Sequence, residues 1–135
     1  VGSIPVFENK LLLCKRAIEP RCGFWTLPAG YMENGETITE GAIRETKEEA
    51  NAEIQNLKLY TIFNIPRISQ IYVLFKADLK NLNYKPGEET SDVRLFTESN
   101  IPWNLIAFSS IKETIEKYYK DSITGKFPSY IGTIN

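Results

Sequence analysis

Glu45, Glu48 and Glu49, with Arg44 directly before them, are the residues of this chain whose types and spacing can do chemistry. On a helix that turns about 100° per residue, positions i, i+3 and i+4 share a face, so the three carboxylates are expected to crowd one patch. Like charges at that spacing destabilise a bare helix by about 0.2–0.5 kcal/mol per pair, and a divalent cation reverses the sign. Oxygen-only ligands suit Mg²⁺ or Mn²⁺, which take one or two carboxylates, keep several waters and share a phosphate-bearing substrate. The chemistry to expect is therefore attack of water on a phosphoanhydride. The metal lowers the pKa of water and neutralises charge on the leaving phosphate.

The element that must position these groups is a helix starting near Thr37 or Thr39, either of which can cap it, and ending at Asn51, a residue that tolerates the left-handed conformation. Its opposite face carries Ile43, Thr46 and Ala50, predicted to pack on a sheet, while Glu40, Arg44 and Lys47 point to solvent or neighbouring loops. Gly41 falls on the glutamate face, where the missing side chain permits close approach. Asn34 and Gly35 supply a turn before the helix.

A glutamate-rich REXXEE helix alone is more often a solvated face than a metal site. Gly30 and Glu36 change that weighing, because helix propensity explains neither. Gly30, Glu36, Arg44, Glu45, Glu48 and Glu49 together resemble the Nudix box, G-x5-E-x7-R-E-U-x-E-E-x-G-U with U aliphatic. Thr46 departs from it by replacing an aliphatic residue, and Asn51 by replacing the glycine that ends the helix.

The resemblance implies an α+β fold, the Nudix-type α/β/α sandwich with a mixed β-sheet, spread as a single domain over residues 1–135. It also implies roles. Glu45 and Glu49 are the principal metal ligands, Glu48 a third or water-mediated ligand, and Arg44 the residue that orients them. The carbonyl of Ala29, just before the box glycine, joins the metal. Glu36 pairs with Arg44 or holds the loop. A general base lies beyond the box, with Glu89 first and then Glu88 and Asp92 as candidates. Arg16, Trp25 and Tyr72 are candidate substrate-binding residues, the aromatic ones, with Phe63, able to stack an adenine or flavin ring.

Composition limits the alternatives. The chain has 135 residues, 42% hydrophobic and 24% charged, with a formal net charge of −1, so it has core enough for one domain and no general field for nucleic acid or an anionic membrane. No stretch is long and apolar enough to span a bilayer, and a cytoplasmic or plastid-like interior is expected. Histidine is absent, which removes histidine catalysis and ligation, and the two cysteines, Cys14 and Cys22, are too few for a disulfide framework.

Along the chain, an opening strand over VGSIPVFENK turns at Glu8–Lys10 into an apolar strand, Leu11–Cys14, followed by a loop through Glu19–Gly23 and a short strand at Phe24 and Trp25. After the helix come a strand over Ala52–Phe63 interrupted near Asn56, a second over Ser69–Ala77, and a polar loop, Leu79–Gly87, that could close over a ligand. A strand over Asp92–Thr97, an extended IPW segment and a helix from about Phe108 to Lys120 complete it, the helix with an apolar stripe at Ile111, Ile115, Tyr118 and Tyr119.

The run LLLCKRAIEPRCGFWTLPAGYMENGE, with IPRISQIYVLFKADL, PGEE, VRLF, IPW, IAFSSI and GTIN, resembles a plant-plastid-type Nudix subgroup that splits FAD, and in some members ADP-ribose, into mononucleotides. That implies hydrolysis of FAD to FMN and AMP with Mg²⁺ or Mn²⁺, a nucleotide small molecule as substrate, and a homodimer as a common assembly. Relatives often carry a zinc ribbon before the first strand. ADP-ribose hydrolysis remains open, as does a nucleotide-binding sensor without turnover. The lysine that marks dinucleoside polyphosphate hydrolases is Ala29 here, and the SQPWPFPxS array of the NADH group is absent.

Overall fold

A computed structural model of the chain describes residues 1–135. Its first two strands, β1 (Gly2–Phe7) and β2 (Lys10–Arg16), form a hairpin. Glu8 and Asn9 both take positive φ, 48° and 63°, as a two-residue turn matching the strand twist requires. A short β3 (Trp25–Thr26) precedes α1 (Ile38–Ala50). Then follow β4 (Ile54–Ile65), β5 (Gln70–Leu79) and β6 (Thr90–Phe96), and the chain closes with α2 (Ser109–Thr124) and β7 (Tyr130–Thr133).

The seven strands make one mixed sheet in the order β3-β2-β1-β5-β4-β7, with β6 on the other edge of β2. β1 runs parallel to β5 and β7 parallel to β4, while the remaining pairs are antiparallel. The apolar run of β2 is continuous because both its faces are covered. Leu11 and Leu13 enter one core with Ile111, Ile115 and Tyr118 of α2, whereas Leu12 and Cys14 enter a second core with Ala50 at the end of α1. The two helices therefore lie on opposite faces of the sheet, and the expected α+β sandwich is what forms. Each fully buried leucine or isoleucine in these layers contributes about 1.5–3 kcal/mol.

Several boundaries differ from expectation. Asn56 does interrupt β4, at positive φ beside a register shift. The second strand reaches Leu79, α2 continues to Thr124 before Gly125 caps it at φ 74°, and the IPW segment leads into a single tight turn, Trp103–Leu105. β7 was not anticipated: four residues, three of them exposed, lacking an apolar alternation carry little local signal, and pairing with β4 creates the strand.

Candidate functional site

Helix α1 begins and ends on side chains that its sequence supplies. Thr37 is the N-cap: its hydroxyl accepts from the Glu40 amide at 3.1 Å, while Glu40 accepts from the Thr37 amide at 2.9 Å. At the other end Asn51 takes the left-handed conformation, φ 49°, and its side-chain amide donates to the carbonyls of Lys85 and Pro86. Lys85 and Gly87 also donate backbone N–H groups to the carbonyls of Ala50 and Glu49. A β-carbon on Gly87 would overlap the Glu48 carbonyl oxygen. The loop expected to close over a ligand is thus docked on the last turn of α1, where it satisfies otherwise orphaned carbonyls.

The face of α1 toward the sheet is Ala42, Thr46 and Ala50, with Ile43 exposed. That corrects the assignment of Ile43 to the packing side, since Ala42 faces inward in its place. Thr46 is fully buried, donates to the Ala42 carbonyl at 2.7 Å, and meets the buried Ser3 hydroxyl at 2.6 Å. A polar residue is accommodated there because β1 places a second polar residue against it.

Arg44 is the hub of the site. Its guanidinium grips Glu36 through two bonds, Nε to Oε2 at 2.8 Å and Nη2 to Oε1 at 2.7 Å. It also reaches Glu33 at 2.9 Å, Glu45 at 2.7 Å, Glu48 at 3.2 Å and the Tyr31 carbonyl at 3.0 Å. The Arg44 bond and the Glu33 amide bond together hold the Glu36 carboxyl down at about 2. The bidentate pair ties the loop before α1 to the middle of the helix.

Glu45 is buried and lies against the Gly30 backbone so closely that a β-carbon on Gly30 would overlap its carboxylate. This close approach is what the box glycine permits. Burial raises the Glu45 pKa, and Arg44 opposes the rise. Burial, reinforced by the neighbouring Glu45 charge, pushes Glu49 up to about 7. The Thr90 hydroxyl donates to Glu49 at 3.3 Å, and Glu49 has no ion-pair partner. Ala29 faces Gly2 in an antiparallel bridge flanked by the bonds Ser3 N to Pro28 O and Gly30 N to Val1 O. In such a pair the Ala29 carbonyl turns away from β1 and stays available as an acceptor.

The three glutamates do not converge into a closed cage. Glu48 is exposed and shares the Arg44 Nη1 with Glu45, so it forms the solvent side of the acidic patch. The donors that remain still suit an open-sided Mg²⁺ or Mn²⁺ site: Glu49 without a cationic partner, Glu45 beside it, and the Ala29 carbonyl. Such ions use few protein ligands and complete their shell with water and substrate.

Among the other expected residues, Trp25 is 6% exposed, packs edge-on to Phe96 at 5.0 Å and belongs to the core. It offers no face for stacking, and Phe63 is likewise buried. Tyr72 is half-buried, and Arg16 bonds the Pro20 carbonyl at 2.7 Å with its guanidinium 5.3 Å from the Phe108 ring centroid. Arg16 lies near enough to both Glu49 and Tyr72 for its charge to act on each. Glu89 is exposed, and its charge also raises Glu49. Asp92 is paired with Arg94 at 2.7 Å, and Glu88 is exposed. Cys14 is buried, with its thiol pushed well above the usual range by burial, and Cys22 is exposed; neither is bonded to the other.

Sequence reasoning passed over Ser3, Tyr31, Gln70 and Thr90. Only Tyr31, beside the box glycine, carried a local signal; the others come from strands distant in sequence and meet the site through the sheet.

Comparison with known proteins agrees with this architecture. The NUDIX domain model matches residues 1–118. The chain is 32% identical over 99 residues to an ADP-ribose pyrophosphatase of Methanocaldococcus jannaschii, covering 70% of this chain and 59% of that protein. It is 32% identical over 124 residues to the NAD-capped RNA hydrolase NudC of Vibrio vulnificus, covering 88% of this chain and 48% of that one. It thus spans about half the length of these curated relatives. A solved structure of a NUDIX hydrolase from Nitrosomonas europaea superposes with a TM-score of 0.96 at 51% identity, covering 99% of this chain and 76% of that one. A fold neighbour from Francisella tularensis, a bifunctional NMN adenylyltransferase/ADP ribose pyrophosphatase at 19% identity and TM-score 0.73, covers 90% of this chain and 40% of its own and was solved with AMP and a manganese ion. With its box on α1, its mixed sheet and a family model that matches most of its length, this chain belongs to the Nudix family.

Proposed function

We propose that residues 1–135 act as one Nudix hydrolase domain that cleaves, with Mg²⁺ or Mn²⁺, the pyrophosphate joining a nucleoside diphosphate to a second moiety, in the ADP-ribose or NAD class. The observation that carries the reading is Glu49, a half-buried carboxylate beside Glu45 with no positive partner. Two like charges at such a spot are costly unless a cation or a proton accompanies them. A bound divalent cation supplies neutralisation of the phosphate oxygens and of the charge that develops on the leaving phosphate.

The residues of this chain do the rest. Glu45, Glu49 and the Ala29 carbonyl hold the cation, and Arg44 fixes Glu45 while anchoring the loop through Glu36. Glu48, exposed and reachable through water, completes the acidic face. Glu89 accepts the proton of the attacking water, with Asp92 less suited because Arg94 already holds it. Water adds to one phosphorus, the bridging P–O bond breaks, and two phosphomonoesters leave. Arg16, whose charge reaches Glu49 without pairing with it, meets the substrate phosphates.

The names of the Methanocaldococcus and Vibrio relatives support ADP-ribose and NAD-type substrates. FAD joins FMN to AMP by the same linkage. Its place among the substrates rests on the likeness of the chain's motifs to the plastid-type subgroup. Incubation with Mg²⁺ and FAD, ADP-ribose, NADH, CoA or 8-oxo-dGTP, followed by separation of products, tests both levels. ADP-ribose should give AMP and ribose 5-phosphate, and FAD should give FMN and AMP. No cleavage of any compound would favour a nucleotide-binding sensor.

A further inference from the structure

Glu88 and Glu89 are the corner residues of a tight turn, Gly87–Thr90, closed by a bond from the Thr90 amide to the Gly87 carbonyl at 3.2 Å. Both glutamates are exposed, and an exposed carboxylate at a loop tip is ordinarily free to wander. This turn is held at each end instead. At its first residue the Gly87 amide donates to the Glu49 carbonyl at 3.0 Å, and the backbone lies so close to α1 that a β-carbon there would overlap the Glu48 carbonyl oxygen. At its last residue Thr90 is buried, pairs with Arg16 in the β2–β6 ladder, and donates its hydroxyl to the Glu49 carboxylate at 3.3 Å. Between them the Ala17 amide, next to Arg16, donates to the Glu89 carbonyl at 3.0 Å. Glu49 thus receives the turn twice, once through its backbone and once through its side chain. Glu89 stands close enough for its charge to act on Glu49.

We infer that Gly87 is the positioning residue for Glu89: its missing side chain lets the turn seat on the C-terminal end of α1 and fixes the distance from the Glu89 carboxylate to Glu45 and Glu49. The inference rests on the hydrolase reading, in which Glu89 takes the proton of the attacking water, and adds the device that aims it. Proton transfer needs the base within about 2.6–3.2 Å of the water, and a misplacement of about 1 Å costs about a hundredfold in rate. Gly87 does not take positive φ, so glycine serves here through close approach alone, and any β-carbon forces the turn off the helix. The metal ligands are carried by α1 and by Ala29, outside the turn. The displacement therefore falls on the base and spares the ion.

Hydrolysis of ADP-ribose in Mg²⁺ by the unaltered protein, Gly87→Ala, Glu89→Gln and the double variant tests it. Gly87→Ala should lower kcat about a hundredfold, with KM and calorimetric Mn²⁺ affinity within about threefold. In the Glu89→Gln background the same change should cost less than about threefold, because the group that it misplaces is gone. A merely structural glycine would slow both backgrounds alike. Amide exchange in the metal-free protein reads the seating itself: protection at residue 87 and at Thr90 should fall in Gly87→Ala while amides in the middle of α1 keep theirs. If Gly87→Ala does not fold, Asn51→Gly carries the test, since it frees the Lys85 and Pro86 carbonyls that lead into the turn. It should lower kcat about tenfold with Glu89 present and leave kcat unchanged in Glu89→Gln. Unchanged kcat in Gly87→Ala or in Glu89→Gln, equal losses with and without Glu89, weakened Mn²⁺ binding, or unchanged amide protection would overturn the inference. Those outcomes leave the hydrolase reading standing, whereas an unaltered protein that cleaves neither ADP-ribose nor FAD overturns both.

Discussion

Arg44 and Glu36 are joined by two parallel hydrogen bonds of 2.8 and 2.7 Å, and this pair couples the loop that carries Gly30 to the helix that carries Glu45 and Glu49. The guanidinium also touches Glu45 and Glu48, so one planar fork sets the aim of the acidic face. Arg44→Lys keeps the charge and loses the fork. It should weaken Mn²⁺ binding about tenfold to a hundredfold, as loss of a ligand-orienting partner does, with little change in secondary structure. Calorimetric titration checks this, and unchanged affinity would show that Arg44 is only an ordinary ion-pair residue.

Glu49 gives the metal-free protein an unusual dependence on pH. Its folded-state pKa of about 7 lies above its ordinary value of 4.5. Between these values the folded protein binds a proton that the unfolded chain has released, so stability falls as pH rises from 4.5 to 7. Glu36 acts oppositely: depressed from 4.5 to about 2, it stabilises above pH 4.5 and that contribution is lost on acidification. Thermal melts in chelator across pH 5 to about 8 should show Tm decreasing toward neutrality, less so in Glu49→Gln, with Mg²⁺ removing most of the difference. Identical slopes for the two proteins would contradict the assignment.

Ser3 and Thr46 form a buried pair in which Thr46 donates to Ala42 and Ser3 donates to Thr46. Thr46→Val restores the aliphatic residue of the box but strands the buried Ser3 hydroxyl, and should cost about 1–3 kcal/mol. Ser3→Ala should cost about 1 kcal/mol, and the double variant should be no worse than Thr46→Val alone. Urea unfolding of the four proteins measures the coupling. Additive losses would mean that the two hydroxyls act independently.

Asn51 stands where the box has glycine, and its side chain holds the Lys85 and Pro86 carbonyls in addition to occupying positive φ. Asn51→Gly, although it restores the family residue, should lower stability by about 1 kcal/mol through the lost bonds. Asn51→Ala should cost more, because alanine is strained at φ 49°. An Asn51→Gly variant more stable than the unaltered protein would remove the loop-anchoring role.

Local sequence was informative where the determinants are local. Thr37 and Thr39 both read as possible caps and Asn51 as the end of α1, and the observed helix is capped by Thr37 and ends at Asn51. The alternation of Leu11 to Cys14 between two cores follows from a strand buried on both faces. What stayed hidden depends on long-range neighbours. Ile43 looks inward by type, yet the small Ala42 is what fits against the sheet. Trp25 looks like a ligand contact, yet Phe96 and the core claim it. Arg44 reads as solvent-facing by helical phase; the box resemblance implies its pairing with Glu36, and the fold adds Glu33 and the Tyr31 carbonyl.

The central claim is that Glu45 and Glu49 hold a divalent cation against a pyrophosphate. Its most direct measurement is the rate of AMP release from ADP-ribose in Mg²⁺ by the unaltered protein and by Glu49→Gln, with folding of both verified by circular dichroism. Mg²⁺-dependent release by the first and a loss of at least about a hundredfold in the second are expected. Full turnover by a folded Glu49→Gln protein would contradict it.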